Sequence, residues 1–337
     1  MRISVLGAGT WGTALAILLA ENKHEVTLWS ALSQEIEALE QNRSTIKNLP
    51  GAVLPDSVLL TADLNVALKE PEMIVFAVAS IFVRQTAARI SSMIPDDMII
   101  VNVAKGIEES TLMTLTDILE QEIPQANVAV LSGPSHAEEV SRKIPTTIVA
   151  GAHKKSVAET IQDAFMNEYF RVYTSSDVIG IELGGSLKNV IALAAGVVDG
   201  LGYGDNTKAA LMTRGVAEIS RLGMKMGGKY ETFAGLSGMG DLLVTCTSKH
   251  SRNRNAGFLI GQGKTSSEAM KEVNQVVEGV HSAKAAKLLG EKFGVEMPIV
   301  EQINLVLFNE KSPLEALNEL LIRERTEEHS SCEWDEE

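Results

Sequence analysis

Short apolar runs alternate with amphipathic stretches through the first half of the chain. The runs at 3–6, 25–29, 58–60, 73–78, 98–101 and 128–131 predict strands. Ile74-Val-Phe-Ala-Val78 is apolar at every position, as a strand buried on both faces must be. Residues 11–21, 33–41, 80–93 and 112–122 fall between these runs and predict helices. Two further strands are expected at 147–150 and 169–173, with a helix at 154–166 between them. Strands alternating with helices predict an α/β fold built on a parallel, doubly wound sheet of the Rossmann type.

Beyond about Asp177 the strand signal fades and helical spacing takes over. Met212, Val216, Ile219 and Leu222 share one helical face, and Ile299, Ile303, Val306 and Leu307 share another. Thr265-Ser-Ser-Glu268 and Ser312-Pro-Leu-Glu315 have capping-box spacing, with Pro313 at a first helical position. The expected division is a dinucleotide-binding domain over 1–187, an all-α substrate-binding domain over 188–325 and an acidic tail over 326–337. The second domain begins inside a long helix near Lys188. A length of 337 residues suits two domains.

Gly7, Gly9 and Gly12 follow the first strand in G-x-G-x-x-G spacing, and an apolar helix follows them. That order forms a dinucleotide cradle. The first glycine permits the turn, the second admits a pyrophosphate, and the third lets helix and strand pack closely. The free N–H groups of the helix then face the phosphates. The uncharged stretch 3–20 after Met1-Arg2 also has the look of a signal peptide. Its three glycines, and the second strand and helix that follow at once, point instead to the first strand of the fold. No other stretch approaches the ~20 apolar residues of a spanning helix, so no integral membrane segment is expected.

Charge changes the picture of partners. Thirty Lys and Arg against 44 Asp and Glu leave a formal charge of −14, which argues against nucleic acid. The same field repels small anions, so a bound phosphate must be met by local cations and backbone N–H groups. Two cysteines, Cys246 and Cys332, lie far apart. They argue against a disulfide framework or a zinc site and fit a cytoplasmic location.

Ligands of an open α/β sheet bind beyond the carboxyl ends of its strands. Lys105 follows the fifth strand in Asn102-Val-Ala-Lys105-Gly106 and either reaches that crevice or is an ordinary solvated lysine. Gly133-Pro-Ser135-His136-Ala137-Glu138 follows the sixth. Pro134 fits a first helical position, Ser135 with Glu138 fits a capping box, and the free N–H groups suit an anion or a nicotinamide amide. His136 reads as structural. Gly184 and Gly185, poor helix formers, precede Lys188 and suggest close backbone approach. Lys188 borders an uncharged run, where burial lowers a lysine pKa toward catalytic values, unless the side chain snorkels outward. Asp241 closes the loop Gly235-Leu-Ser-Gly-Met-Gly240, either as a partner for a lysine or substrate hydroxyl or as a helix N-cap. Ser251-Arg252-Asn253-Arg254 gathers polar donors. Arginine's planar fork suits phosphate, and a solvated charge cluster is the plainer alternative.

These segments resemble, in order and over nearly the full length, the bacterial-type NAD(P)-dependent glycerol-3-phosphate dehydrogenases. The matching stretches are G-A-G-T-W-G-T-A from Gly7, A-K-G at 104–106, G-P-S-H-A-E-E-V at 133–140, L-K-N at 187–189, G-L-G-Y-G-D-N-T-K-A-A-L at 200–211, G-L-S-G-M-G-D at 235–241, S-R-N at 251–253 and V-V-E-G-V at 276–280. The resemblance implies reversible reduction of dihydroxyacetone phosphate to sn-glycerol 3-phosphate, in supply of phospholipid synthesis, by a cytoplasmic homodimer. Hydride passes from the nicotinamide of NAD or NADP to C2, and Lys188 exchanges the proton. By matched position, Lys105 contacts cofactor and substrate, while Gly133, Ser135, Asp241, Ser251, Arg252 and Asn253 hold the substrate. Thr10, Trp11, Ala137, Arg252, Val276 and Glu278 contact the cofactor. Two departures stand out. Ala79 replaces a frequent proline. After the second strand, Leu28-Trp29-Ser30-Ala31 offers neither an arginine for a 2′-phosphate nor an acid for a 2′-hydroxyl. Ser30 can donate to either group, so cofactor preference stays open. The alternatives are another two-domain hydroxyacid dehydrogenase and a non-catalytic nucleotide-binding regulator.

Overall fold

The computed structural model describes residues 1–328 apart from 45, 47, 48, 275 and 326. Cys332 and most of the expected acidic tail lie outside the described residues. Eight strands form one sheet: β1 (Arg2–Leu6), β2 (Glu25–Trp29), β3 (Leu59–Thr61), β4 (Met73–Phe76), β5 (Ile99–Asn102), β6 (Asn127–Ser132), β7 (Thr146–Ala152) and β8 (Phe170–Ser175). Their order is β3-β2-β1-β4-β5-β6-β7-β8. Leu6 lies beside both Trp29 and Phe76, so the central strands end level with one another. The direction of winding reverses between β1 and β4, which opens a crevice at their carboxyl ends.

The sheet is not wholly parallel as expected. β1 to β6 pair in parallel, but β7 runs antiparallel to β6, and β8 follows β7. The reason is the connection. Between Ser132 and Thr146 the only helix covers Ala137–Val140. Four residues rise about 6 Å, too little to carry the chain back along a strand some 20 Å long. The next strand therefore returns beside the last in the opposite sense.

Helices α1 (Thr10–Glu21), α2 (Ser33–Gln41), α3 (Leu64–Ala67), α4 (Val83–Ile90), α5 (Leu115–Glu122), α6 (Ala137–Val140) and α7 (Lys155–Phe165) surround the sheet. Val5 packs into one apolar core with α1 and α7, and Leu6 packs into a separate core with α4 and α5. Successive β1 side chains thus feed opposite layers, as the period of two requires. Helix α5 starts three residues later than expected, where Thr114 and Asp117 form a capping box.

The remaining helices are α8 (Val178–Gly200), α9 (Asp205–Lys225), α10 (Tyr230–Ala234), α11 (Asp241–Thr247), α12 (Arg252–Gly261), α13 (Ser266–Val273), α14 (Glu278–Phe293), α15 (Pro298–Phe308) and α16 (Pro313–Leu321). All residues of α8 from Gly180 to Val198 are buried. By length and composition α8 is apolar enough to cross a membrane, contrary to expectation, yet its apolar window is 94% buried by its own fold. Val178 and Ile181 pack on Val130 of the sheet, whereas Leu183 and the residues beyond it enter the helical core. The helical faces of α9 and α15 join that core through Ile219, Leu222, Ile299, Ile303, Val306 and Leu307. Thr265 and Glu268 form the expected capping box. Ser312 does not: Pro313 takes the first helical position, but the Ser312 side chain makes no cap bond.

Candidate active site

The cradle sits at the switch point. Gly7 has φ +119°, and a Cβ there would lie 2.5 Å from the Ala77 carbonyl oxygen. A Cβ on Gly12 would collide with the Gly7 carbonyl, so helix α1 and strand β1 approach only without one. Gly9 differs, because a Cβ on it would meet nothing within 4 Å. It faces open space in a cleft of about 720 Å³ that Thr10 and Trp11 also line. Gly9 is also the N-cap of α1 and brings no side chain to its first-turn N–H groups. Close packing on one side and an open anion-ready helix end on the other fit a dinucleotide pyrophosphate.

Across the cleft the helical half supplies ions. A π-helical turn, Leu236–Gly240, delivers Asp241 to the start of α11, buried at 1% exposure. Lys188, in the middle of α8, is 5% exposed. Its Nζ donates to Asp241 Oδ1 at 2.6 Å and to Thr245 Oγ1 at 2.5 Å. Lys105 donates to the other carboxylate oxygen, Oδ2, at 2.6 Å and to the Gly133 carbonyl at 3.3 Å. Gly184 and Gly185 explain how these groups meet. A Cβ on Gly184 would lie 2.6 Å from the Ser237 carbonyl oxygen, and Lys105 passes over Gly185. Burial pushes the Lys188 pKa down to about 8; Asp241 pulls it up and Lys105 pushes it further down. A buried ammonium tuned toward neutrality can give a proton and take it back.

The other expected residues divide. Ser135, Ala137, Ser251, Arg252, Asn253, Val276 and Glu278 all line the cleft. Ser135 donates to the Gly133 carbonyl at 3.0 Å and does not form the expected capping box; the N-cap of α6 is His136. The Ser135 hydroxyl turns back on its own loop because α6 is a single turn that begins at Ala137. His136 also lines the cleft, with Nε2 buried and unpartnered, and burial followed by the Lys188 charge lowers its pKa. Ser251 caps α12 by accepting from Arg254 N–H. Asn253 is spent inside the protein, donating to Asn189 Oδ1 at 2.9 Å and accepting from Gly279 N–H at 2.8 Å. Arg254 turns away from the cleft to Asp199, at 2.6 Å. Arg252 remains exposed in the cleft and makes no hydrogen bond or ion pair among the described residues. Glu278 accepts from Ser80 Oγ at 2.7 Å, which ties α14 to the sheet domain, and burial raises its pKa.

Ser30 does not line the cleft, and neither do Gly7, Gly12 and Gly133. Ser30 is buried and donates to Glu35 Oε2 at 2.5 Å while accepting from Leu32 N–H. The first turn of α2 folds back to the end of β2 and carries this carboxylate there, which the residues directly after the strand did not reveal. Sequence reasoning also missed Thr245, though its i+4 spacing from Asp241 places it on the same face of α11. Glu182 and Ser186 were missed as well; their signal was polarity within a largely apolar, buried helix.

Proton exchange beside a dinucleotide cradle is the work of a pyridine-nucleotide-dependent oxidoreductase, and fold and cleft assign the chain to that class. Known proteins narrow the class. The family described as NAD-dependent glycerol-3-phosphate dehydrogenase matches through its N-terminal part over residues 2–158 and its C-terminal part over 177–318. The chain belongs to this family. The glycerol-3-phosphate dehydrogenase [NAD(P)+] of Agathobacter rectalis is 60% identical over 99% of both chains. That of Fusobacterium nucleatum is 56% identical over 96% of this chain and 98% of its own. The crystal structure of glycerol-3-phosphate dehydrogenase from Coxiella burnetii superposes with a TM-score of 0.92 at 36% identity, covering 96% of this chain and 99% of that one.

Proposed function

We propose that the cleft catalyses the reversible reduction of dihydroxyacetone phosphate to sn-glycerol 3-phosphate, with Lys188 as proton donor to the C2 oxygen. The observation that carries this assignment is the buried Lys188 ammonium sharing Asp241 with Lys105 beside the glycine cradle. When bound at Gly7, Gly9 and Gly12, NAD(P) supplies the hydride in one direction and accepts it in the other. Lys188 faces the oxygen on which charge develops, and Lys105 adds positive potential. Asp241 holds both ammonium groups in place. Arg252 grips the substrate phosphate, a remote contact whose binding energy orients C2. Ser80 and Glu278 join the two sides of the cleft and limit its opening. A cytoplasmic homodimer is part of the proposal. The free, buried Cys246 thiol suits a reducing compartment, and exposed Leu321 and Ile322 offer apolar surface to a second copy.

The test is steady-state kinetics with dihydroxyacetone phosphate, run in parallel with NADH and NADPH, against unphosphorylated keto acids. Turnover confined to the phosphorylated ketone is the expected result. Preference for a keto acid would replace the assignment with another hydroxyacid dehydrogenase, and no oxidation of either cofactor would leave a binding protein.

A further inference from the structure

The loop that presents Lys105 has no regular structure of its own, yet both of its ends are fastened to α8. At one end Asn102 closes a local ring with Ala104, accepting from its N–H at 3.1 Å and donating to its carbonyl at 3.1 Å. The same Asn102 amide donates to Glu182 Oε1 at 2.6 Å. At the other end Ser186 Oγ accepts from Gly106 N–H at 2.9 Å and donates to the Gly106 carbonyl at 3.1 Å. Glu182 and Ser186 are both buried, and they are four residues apart on α8, hence on one face. The second oxygen of Glu182 accepts from Leu115 and Thr116 N–H at 2.9 and 3.1 Å and so seats the start of α5 as well. Lys188 is two residues past Ser186 on the same helix, a rise of about 3 Å.

We propose that Glu182 and Ser186 are positioning residues for the reaction: α8 carries Lys188 in its own backbone and sets Lys105 through these two side chains. One rigid helix then fixes the separation of the two ammonium groups that share Asp241. The inference rests on the role given to Lys105 above. Both oxygens of Glu182 face N–H donors only, so an amide in its place would turn its NH2 group toward another donor. Without Ser186 Oγ, the Gly106 N–H and carbonyl lose their partner. Either change loosens Lys105 while leaving it chemically intact, and a 1 Å displacement of such a group costs up to about 100-fold in rate.

The experiment compares Glu182→Gln, Ser186→Ala and Lys105→Met, singly and as the pairs containing Lys105→Met, by kcat on dihydroxyacetone phosphate. Amide hydrogen exchange over 102–107 provides a second reading. Each clasp variant alone should lower kcat about 10- to 100-fold and speed exchange of the loop, with α8 still protected. In the Lys105→Met background neither should lower kcat by more than about twofold, because nothing is left for it to position. Losses that multiply undiminished in that background overturn the proposal while leaving Lys105 in the reaction. Wild-type turnover in Lys105→Met itself removes Lys105 from the chemistry, and the proposal with it. Should Glu182→Gln fail to fold, Ser186→Ala, a smaller change, decides the question by the same comparison.

Discussion

The Lys188 ammonium lies 2.6 Å from Oδ1 of Asp241, and both side chains are almost wholly buried. A buried ion pair is costly to desolvate and gives little net stability. Its worth here is geometric. Asp241 keeps its other oxygen for Lys105, so a single carboxylate sets the position of two cations, one carried by the loop after β5 and one by α8.

Removing Lys188 leaves Asp241 paired with Lys105, so the loss should fall more on chemistry than on folding. Lys188→Ala is expected to lower kcat by about 10²–10⁴-fold, the usual loss for a general acid–base group. Circular dichroism should still show the native helix content. Turnover within a few-fold of wild type would take Lys188 out of the mechanism.

The protonation of Lys188 predicts opposite pH profiles for the two directions. Reduction of the ketone needs the ammonium, so its kcat should hold level below about pH 8 and decline above it. Oxidation of the alcohol needs the free amine and should rise through the same range. Asp241 favours the charged form, so Asp241→Asn should move both profiles toward lower pH. A shift toward higher pH would contradict the assigned electrostatics.

Arg252 is exposed in the cleft, where a phosphate can take both arms of its guanidinium. Arg252→Ala should cost about 1.5–3 kcal/mol of substrate binding, the worth of a charge-assisted hydrogen bond. The KM for dihydroxyacetone phosphate should rise accordingly, with a much smaller change for ketones lacking phosphate. Equal losses for both kinds of ketone would refute a phosphate contact.

The glycines of the cradle should separate stability from binding. Gly9→Ala meets no atom of the protein, so thermal stability should hold or rise by about 0.4–1 kcal/mol through the unfolded state. NADH binding, measured by fluorescence titration, should weaken because the methyl enters the cleft. Gly12→Ala drives a methyl into the Gly7 carbonyl and should destabilise the fold itself. Undiminished NADH affinity in Gly9→Ala would move the pyrophosphate elsewhere.

Local patterns carried much of this outcome. The eight strands appear at or within a few residues of their expected places, because apolar runs bounded by polar turns reflect burial directly. The sense of β7 was hidden, since it depends on how far the Ala137–Val140 turn can carry the chain. Thr265 reads correctly as a cap through a partner three residues away, but Ser135 and Ser312, with the same spacing, form no such box. Ser30 was ambiguous because Glu35 reaches it only when α2 folds back on the end of β2.

By itself the order of residues determined the cradle, the alternation of strand and helix, the helical second half and the candidacy of Lys105, Lys188, Asp241 and Arg252. These follow from spacing along the chain, which short-range sterics and burial translate into structure. Only the tertiary fold decided that Asp241 serves both lysines, that Asn253 at the cleft wall is braced by Asn189 and Gly279, and that Glu182 and Ser186 hold the Lys105 loop. Hydrogen bonds between groups tens of residues apart depend on packing that no local spacing encodes.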